Sequence, residues 1–105
     1  MIIEQMKEKL DKLIGKLEHT FQTAEFKQNQ FNEKDWFIWE SKLDYNISKY
    51  LFDKSGRPDE EALDYIRKKT GWEIFARQRD GLGWYVGNIY TKDPIDGKEK
   101  TILFG

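Results

Sequence analysis

Four carboxylates in one short stretch are the first residues that could do chemistry, as ligands of a metal ion. They are Asp59, Glu60, Glu61 and Asp64. The first three follow Pro58 at the start of a predicted helix, where negative side chains complement the positive end of the helix dipole. This role accounts for them without a metal ion, so we expect no metal site.

Catalytic groups of other kinds are scarce. The chain has no cysteine, which excludes thiolate nucleophiles and cysteine-bound metals, and it has one histidine, His19. No motif places a nucleophile or an acid beside His19. The acid–x–Lys pattern at residues 96–98 falls on a predicted turn, whereas metal-dependent nucleases need the acid and the lysine on a strand beside the metal. We therefore expect a protein that is not an enzyme, with no catalytic residues and no cofactor.

A basic group with aromatic neighbours is the strongest indication of a nucleic-acid site. It ends the second predicted helix and continues onto the next strand: Arg67, Lys68, Lys69, Phe75, Arg77 and Arg79. Arginine beside an aromatic ring on a sheet can pair phosphates and stack bases, and Tyr85 or Tyr90 of the following strand could join, depending on register. The competing interpretation is a solvated sheet face, whose charge the acidic residues nearby in the sequence neutralise.

An aromatic run is the other candidate binding site. It consists of Trp36, Phe37, Ile38 and Trp39. In a helix or in a strand, both sides of this run are apolar. It is therefore either buried on two sides, or it carries an exposed aromatic patch of the kind found at protein interfaces. These four residues are the predicted protein-binding site.

The composition narrows the class of protein. A chain of 105 residues predicts one compact domain, residues 1–105, and an aromatic content of 15% can supply its core. The 18 cationic and 19 acidic residues are interleaved, with none of the basic excess typical of nonspecific nucleic-acid binders. No apolar run approaches the ~18 residues of a membrane span, and charges come too early for a signal peptide. We expect a cytoplasmic protein without a membrane partner.

The periodicity predicts an α+β fold with two helices. A 3-4 spacing of apolar residues indicates a long N-terminal amphipathic helix over residues 2 to about 28. Its wide apolar stripe favours packing on its own domain over a coiled-coil dimer. A second helix is predicted at about 58–70, with Pro58 in its first turn or just before an Asp59 cap, and with Gly71 at its end.

The remaining segments predict the sheet. Residues from about 72 to 105 comprise apolar and aromatic stretches separated by turns at Asp80-Gly81 and Asp96-Gly97. They predict a three-stranded antiparallel meander, covered on one face by the helices. Residues 35–52 fit both a helix and a hairpin. Their aromatic and β-branched content favours strand, but their length slightly favours the helix.

These features predict a small non-enzymatic protein-binding domain that uses an aromatic surface. An adaptor, an inhibitor or an immunity-type accessory protein, of a phage or mobile element for example, would have this character. The expected partner is another protein, and a homodimer is one form of that expectation. The alternative is a nucleic-acid-binding domain that uses the basic-aromatic face of the sheet.

Overall fold

Two α-helices and five strands form an α+β fold in the part of the chain that the computed structural model describes. That part comprises residues 3–39, 48–81 and 84–104, without the side chains of residues 39, 79–81 and 84–86. The helices are α1 (Glu4–Thr23) and α2 (Glu60–Thr70), and a 3-10 turn covers Lys49–Leu51. The strands are β1 (Lys27–Gln28), β2 (Asp35–Trp39), β3 (Ile74–Gly81), β4 (Trp84–Lys92) and β5 (Glu99–Phe104).

The strands form one mixed sheet in the order β1-β2-β5-β4-β3. The predicted α+β class and the antiparallel succession β3, β4, β5 are confirmed. The three-stranded meander is only part of the sheet, because β2 pairs in parallel with β5, and β1 pairs antiparallel with β2. As a result, β5 is the middle strand.

The aromatic run lies on a strand. Residues 35–39 form β2 and pair with residues 99–103 of β5, so the preference for a helix in this segment was wrong for residues 35–39. The later part of the segment contains the 3-10 turn, and residues 40–47 lie outside the described residues. Aromatic and β-branched side chains favour a pleated surface, and here that preference outweighed segment length.

Helix α1 packs on its own domain, as predicted, but it is shorter than expected. It ends at Thr23, and Ala24 is extended at φ −81° and ψ 143°. The chain leaves the helix there because Lys27 and Gln28 pair with β2. The side chains that α1 buries are Leu10, Leu13, Ile14, Leu17, Thr20 and Phe21.

The core lies between the helices and one face of the sheet. Along β5, Lys100, Ile102 and Phe104 are buried, whereas Glu99 is exposed and Thr101 and Leu103 are partly exposed. Strands β3 and β4 alternate in the same way, burying Ile74, Ala76, Gly87, Ile89 and Thr91. The two faces of the sheet therefore differ, and we call the face opposite the helices the open face. Among the described residues, no helix has the length and apolar character needed to cross a membrane.

The turn between β4 and β5 is held by a buried ion pair. Gly97, at φ +73°, donates its backbone N–H to the Asp93 carbonyl at 2.8 Å. The Nζ of Lys100 lies 2.6 Å from Oδ2 of Asp93 and 2.9 Å from Oδ2 of Asp96. The Asp93 side chain is 1% exposed and that of Lys100 is 9% exposed. The same Nζ lies 4.4 Å from the centre of the Phe26 ring, so it also contacts the segment that leads into β1.

Helix α2 has the predicted caps. The Asp59 side chain precedes the helix and accepts the backbone N–H groups of Glu61 and Ala62. Gly71 ends the helix at φ +76°, in the left-handed region where glycine carries no Cβ penalty.

We expect the Asp59→Ala variant to lose about 1 kcal/mol of unfolding free energy, because two N–H groups of the first turn lose their acceptor. The Asp59→Ser variant should keep most of this free energy, because the serine hydroxyl can also accept a backbone N–H. Urea denaturation of both variants measures the difference. Equal losses for alanine and serine would contradict a capping role.

Candidate binding surface

A row of side chains crosses the open face from one edge of the sheet to the other. The register pairs Lys27 with Phe37, Phe37 with Thr101, Thr101 with Tyr90, and Tyr90 with Phe75. Directly paired residues of neighbouring strands project on the same face. We call these five residues the central row. It places three aromatic rings on one surface, two of them on adjacent strands.

The aromatic rings of the central row are accessible. Phe75 is 44% exposed and Tyr90 is 36% exposed, while Phe37 is half-buried. The side-chain amide of Asn88 donates to the Tyr90 hydroxyl at 2.7 Å, which fixes the outer end of that ring. Leu103, partly exposed beside Asn88, extends the apolar surface. A contiguous exposed patch of this kind marks an interaction surface more often than scattered apolar residues do.

Charged residues of both signs border the central row. On one side lies Arg77, which pairs with Asn88. On the other side, Asp35 pairs with Glu99, and Glu99 pairs with Lys92. The border of the open face is therefore mixed in charge.

The turn between β1 and β2 presents one more ring. Phe31 is 99% exposed. The turn around it is closed by a hydrogen bond from the Asn29 N–H to the Asp35 carbonyl at 2.8 Å, and the Asn29 side chain accepts the N–H of Phe31 at 2.8 Å. The Asn32 side chain donates to the Asp35 carboxylate at 2.8 Å. These bonds hold the turn in shape, so the ring is presented at low cost in conformational entropy.

Two open depressions, each of about 580 Å³, lie along this surface. The first lies between the Phe31 turn and the middle of the sheet, and its lining includes Phe37 and Leu103. The second lies where β3 begins and β4 ends, and its lining includes Phe75 and Lys92 of the open face together with Arg67 and Lys100 of the helix side. Tyr90 lines both.

Comparisons with known proteins give no precedent for this surface. A scan against protein-family models, a search of curated proteins and a search of solved structures found no match.

The structure divides the aromatic run between the two faces of the sheet. Phe37 belongs to the open face. Ile38 packs against the core on the helix side, and Trp36, which shares that side by alternation, lies under Lys98, whose Nζ is 4.4 Å from its ring centre. The side chain of Trp39 lies outside the described part. Among the described side chains of the run, Phe37 is the one that joins the central row.

The predicted basic group is also divided. Phe75 and Arg77 lie on the open face with Tyr90, as the alternation and the register require. Lys68 is exposed on α2, and Lys69 bonds to Asp11. The side chain of Arg79 lies outside the described part.

Arg67 is committed to structure on the helix side. It forms ion pairs with Asp64 at 2.9 Å and Glu60 at 3.1 Å, and it donates to the backbone carbonyl of Ile74. Burial lowers the pKa of Arg67, but the hydrogen bonds with Glu60 and Asp64 outweigh it and raise the pKa above its ordinary value. A guanidinium held in this way is not free to bind a phosphate.

The acidic cluster takes part in structural contacts. Asp59 caps α2, and Glu60 and Asp64 pair with Arg67. Within residues 3–39, 48–81 and 84–104, no three acidic or histidine side chains are grouped so that they could hold a metal ion. His19 is exposed on α1.

Phe31, Lys92 and Leu103 are among the residues of this surface that the sequence did not indicate. Phe31 stands between Asn29 and Asn32, and this asparagine spacing was the available signal for a tight turn with an aromatic tip. The alternation of β4 already places Asn88, Tyr90 and Lys92 on one side. Leu103 could not be assigned to a face without knowing which strands flank β5.

Proposed function

We propose that the protein is a small non-enzymatic protein-binding domain whose binding surface is the open face of the sheet. The observation that supports this proposal is the central row, where Phe37, Tyr90 and Phe75 form an aromatic strip that is exposed at Tyr90 and Phe75 and half-buried at Phe37. Aromatic side chains bury a large area at low entropic cost, and they dominate the binding energy of many protein interfaces. An adaptor or an inhibitor would use such a surface.

The charges around the strip favour a protein partner over a nucleic acid. Three cationic side chains, Lys27, Arg77 and Lys92, stand beside two acidic ones, Asp35 and Glu99, and the whole chain has a net charge of −1. Protein interfaces have a polar rim of both signs, whereas nucleic-acid sites show a basic excess. The absence of cysteine fits the reducing cytoplasm, where we propose that the domain acts.

Binding of single-stranded nucleic acid is the second candidate. Phe75 and Tyr90 are directly paired on adjacent strands, and Arg77 follows on the same face. Rings arranged in this way on a sheet can stack successive bases while an arginine pairs a phosphate. This candidate requires binding to short single-stranded oligonucleotides that weakens steeply with salt, and an Arg77→Gln variant with a smaller salt slope.

Affinity capture from a cell lysate that also contains an untagged copy of the chain tests the protein-binding proposal, so that a second copy counts among the proteins that can be recovered. The baits are the native chain, the double variant Phe75→Ser, Tyr90→Ser, and the control Ile95→Ser. Ile95 is 65% exposed in the turn after β4 and lines neither depression, so the control removes apolar surface outside the central row.

We expect specific proteins to be recovered by the native and Ile95→Ser baits, and recovery to fall about tenfold or more with the double variant. Loss of two interface rings costs a few kcal/mol, and each 1.4 kcal/mol is tenfold in affinity. The same proteins in the same amounts on all three baits would contradict the proposal. Oligonucleotide binding with a steep salt dependence would instead support the second candidate.

A further inference from the structure

We propose that the partner on the open face is a second copy of this chain, packed face to face about a two-fold axis that runs along β5. This inference rests on the proposed function, because it names the partner of the same surface. Two sheets that pack face to face keep their strands within about 30° of each other, and a two-fold axis along the middle strand gives this alignment.

The sheet order makes the central row self-complementary about this axis. Because β5 is the middle strand, the rotation places β2 over β4 and β1 over β3 of the second copy. Thr101 then lies opposite itself, and Phe37 lies opposite Tyr90 of the second copy. Lys27 lies opposite Phe75 of the second copy, where an ammonium can contact the face of the ring.

The border charges match as well. Asp35 lies opposite Lys92 of the second copy, since both stand in the row of Glu99. Glu99 meets itself at the axis, and each Glu99 has Lys92 of its own sheet as its neighbour. This row therefore sets two pairs of opposite charge against one like-charged pair.

A further charge pair lies in the row of Leu103. Lys27 lies on the open face through its pairing with Phe37, and Phe26 before it packs against the core. From this alternation we infer that Glu25, two residues before Lys27, shares the open face. Continuing the β1–β2 register by two residues brings Glu25 level with β2 residue 39, in the row of Leu103 and Arg77. The rotation then sets Glu25 opposite Arg77 of the second copy. Leu103 packs on itself at the axis.

The other two-fold axis in the plane of the face fits less well. An axis along the central row would place Lys27 opposite itself and Leu103 opposite the Glu99 carboxylate of the second copy. The charge pattern therefore selects the axis along β5.

Phe31 has a complementary depression on the second copy. Its turn lies at the end of the sheet marked by Asp35, and the rotation brings that end over the Lys92 end of β3 and β4. There lies the depression lined by Phe75, Tyr90 and Lys92. The 99% exposed ring of each copy thus projects towards a depression of the other.

The face is large enough for a stable dimer. Five strands about 4.8 Å apart span roughly 24 Å, and their lengths, from two residues in β1 to nine in β4, average about six residues or roughly 20 Å. With the relief of its side chains and the Phe31 turn, this is of the order of the ~800 Å² that each partner buries in a standard interface.

Analytical ultracentrifugation of the native chain and of two charge variants tests the inference. The basic variant carries Glu25→Arg and Asp35→Lys, and the acidic variant carries Arg77→Glu and Lys92→Asp. The native chain should be a dimer at low salt. Each variant alone sets like charges against each other at four positions, so its dimerisation should weaken by about tenfold or more.

Mixing the two variants is the decisive step, because all four charge pairs then join opposite charges, two with the native polarity and two with reversed polarity. We expect a heterodimer in the mixture, which an effect within one chain cannot produce. A native chain that is monomeric at every concentration overturns the inference, as do variants that dimerise like the native chain. The Phe31→Ser variant alters an exposed turn residue and should also weaken the dimer, so the inference stays testable if a charge variant fails to fold.

The lysate experiment separates failure of this inference from failure of the proposed function. A monomeric native chain whose open face still captures a different protein overturns the second copy as partner and keeps the binding function.

Discussion

Replacing Lys100 by methionine is expected to lower the free energy of unfolding by about 3–5 kcal/mol. The Lys100 ammonium lies 2.6 Å from Oδ2 of Asp93, whose side chain is 1% exposed. Removing one partner of a buried ion pair leaves the other charge without water and without a counter-charge. Methionine keeps much of the length and packing of lysine, so the loss reports mainly on the charge. Urea denaturation of the variant measures it.

The double variant Lys100→Met, Asp93→Asn is the matched control. The amide oxygen of asparagine can still accept the N–H of Ile95, which Oδ1 of Asp93 accepts at 2.8 Å. No charge is then buried at position 93, so the double variant should be more stable than Lys100→Met alone. A double variant that loses at least as much stability as the single variant would show that the buried charge is not the cause.

The pH dependence of native stability provides an independent check. Burial lowers the pKa of Lys100, but its hydrogen bonds with Asp93 and Asp96 outweigh it, so the pKa lies above the ordinary 10.5. A raised pKa in the folded state contributes stability that is fully present below pH 10.5 and is lost as pH rises through the folded-state pKa. The Lys100→Met variant should therefore lose less stability than the native protein as pH rises through this range. The Lys69–Asp11 pair contributes equally to the native protein and to the variant.

At low pH, native stability changes in the opposite direction: it is lost as pH falls. Burial raises the pKa of Asp96, but the backbone N–H of Lys98 and the Lys100 ammonium outweigh it, so the pKa lies below the ordinary 3.8. The stability from this group is present above pH 3.8 and is lost as pH falls through the folded-state pKa. Asp96 is partly exposed, so we expect this contribution to be smaller than that of the buried pair.

Gly87→Ala is expected to lower the free energy of unfolding by about 1–3 kcal/mol or more, through overpacking. Gly87 pairs with Phe104 across β4 and β5, and a Cβ at Gly87 would overlap three carbon atoms of the Phe104 ring. Phe104 is 1% exposed and its ring centre lies 6.3 Å from that of Phe52, so it has little room to move. Thermal or urea unfolding measures the loss.

Two controls separate overpacking from the general effect of removing a glycine. Gly15 lies in α1 with nothing within 4 Å of the place that a methyl group would take, so Gly15→Ala should stabilise the protein by about 0.5–1 kcal/mol. Phe104→Leu frees space beside Gly87, so the pair Gly87→Ala, Phe104→Leu should lose less than the sum of the single losses. Additive losses would show that the ring and the new methyl group do not compete for space.

Local sequence signals were sufficient for the elements whose determinants lie within a few residues of each other. The Asp59 cap, the Gly71 end and the Asp96-Gly97 turn were all predicted from neighbouring residues and are confirmed. The strand at residues 35–39 was not predicted from neighbouring residues, because its partner β5 lies more than sixty residues later. An aromatic run without a local partner fits both helix and strand templates.

The candidate surface was predictable only in part, for the same reason. Alternation along β3 was enough to place Phe75 and Arg77 on one face. Tyr90 required the β3–β4 register, which Asp80-Gly81 only suggested. Phe37 joined them because a parallel pairing set it opposite Thr101, and no sequence pattern nearby encodes that register.

The position of β5 in the middle of the sheet also constrains the order of folding. The ribosome releases β1 and β2 early and β3 and β4 later, and these two antiparallel pairs have no direct contact in the sheet until residues 99–104 insert between them. Closing such distant pairings costs loop entropy before the contacts form, which slows folding. A nascent chain that has not yet reached β5 would therefore hold two separate hairpins, each with an unpaired edge facing the place that the last strand fills.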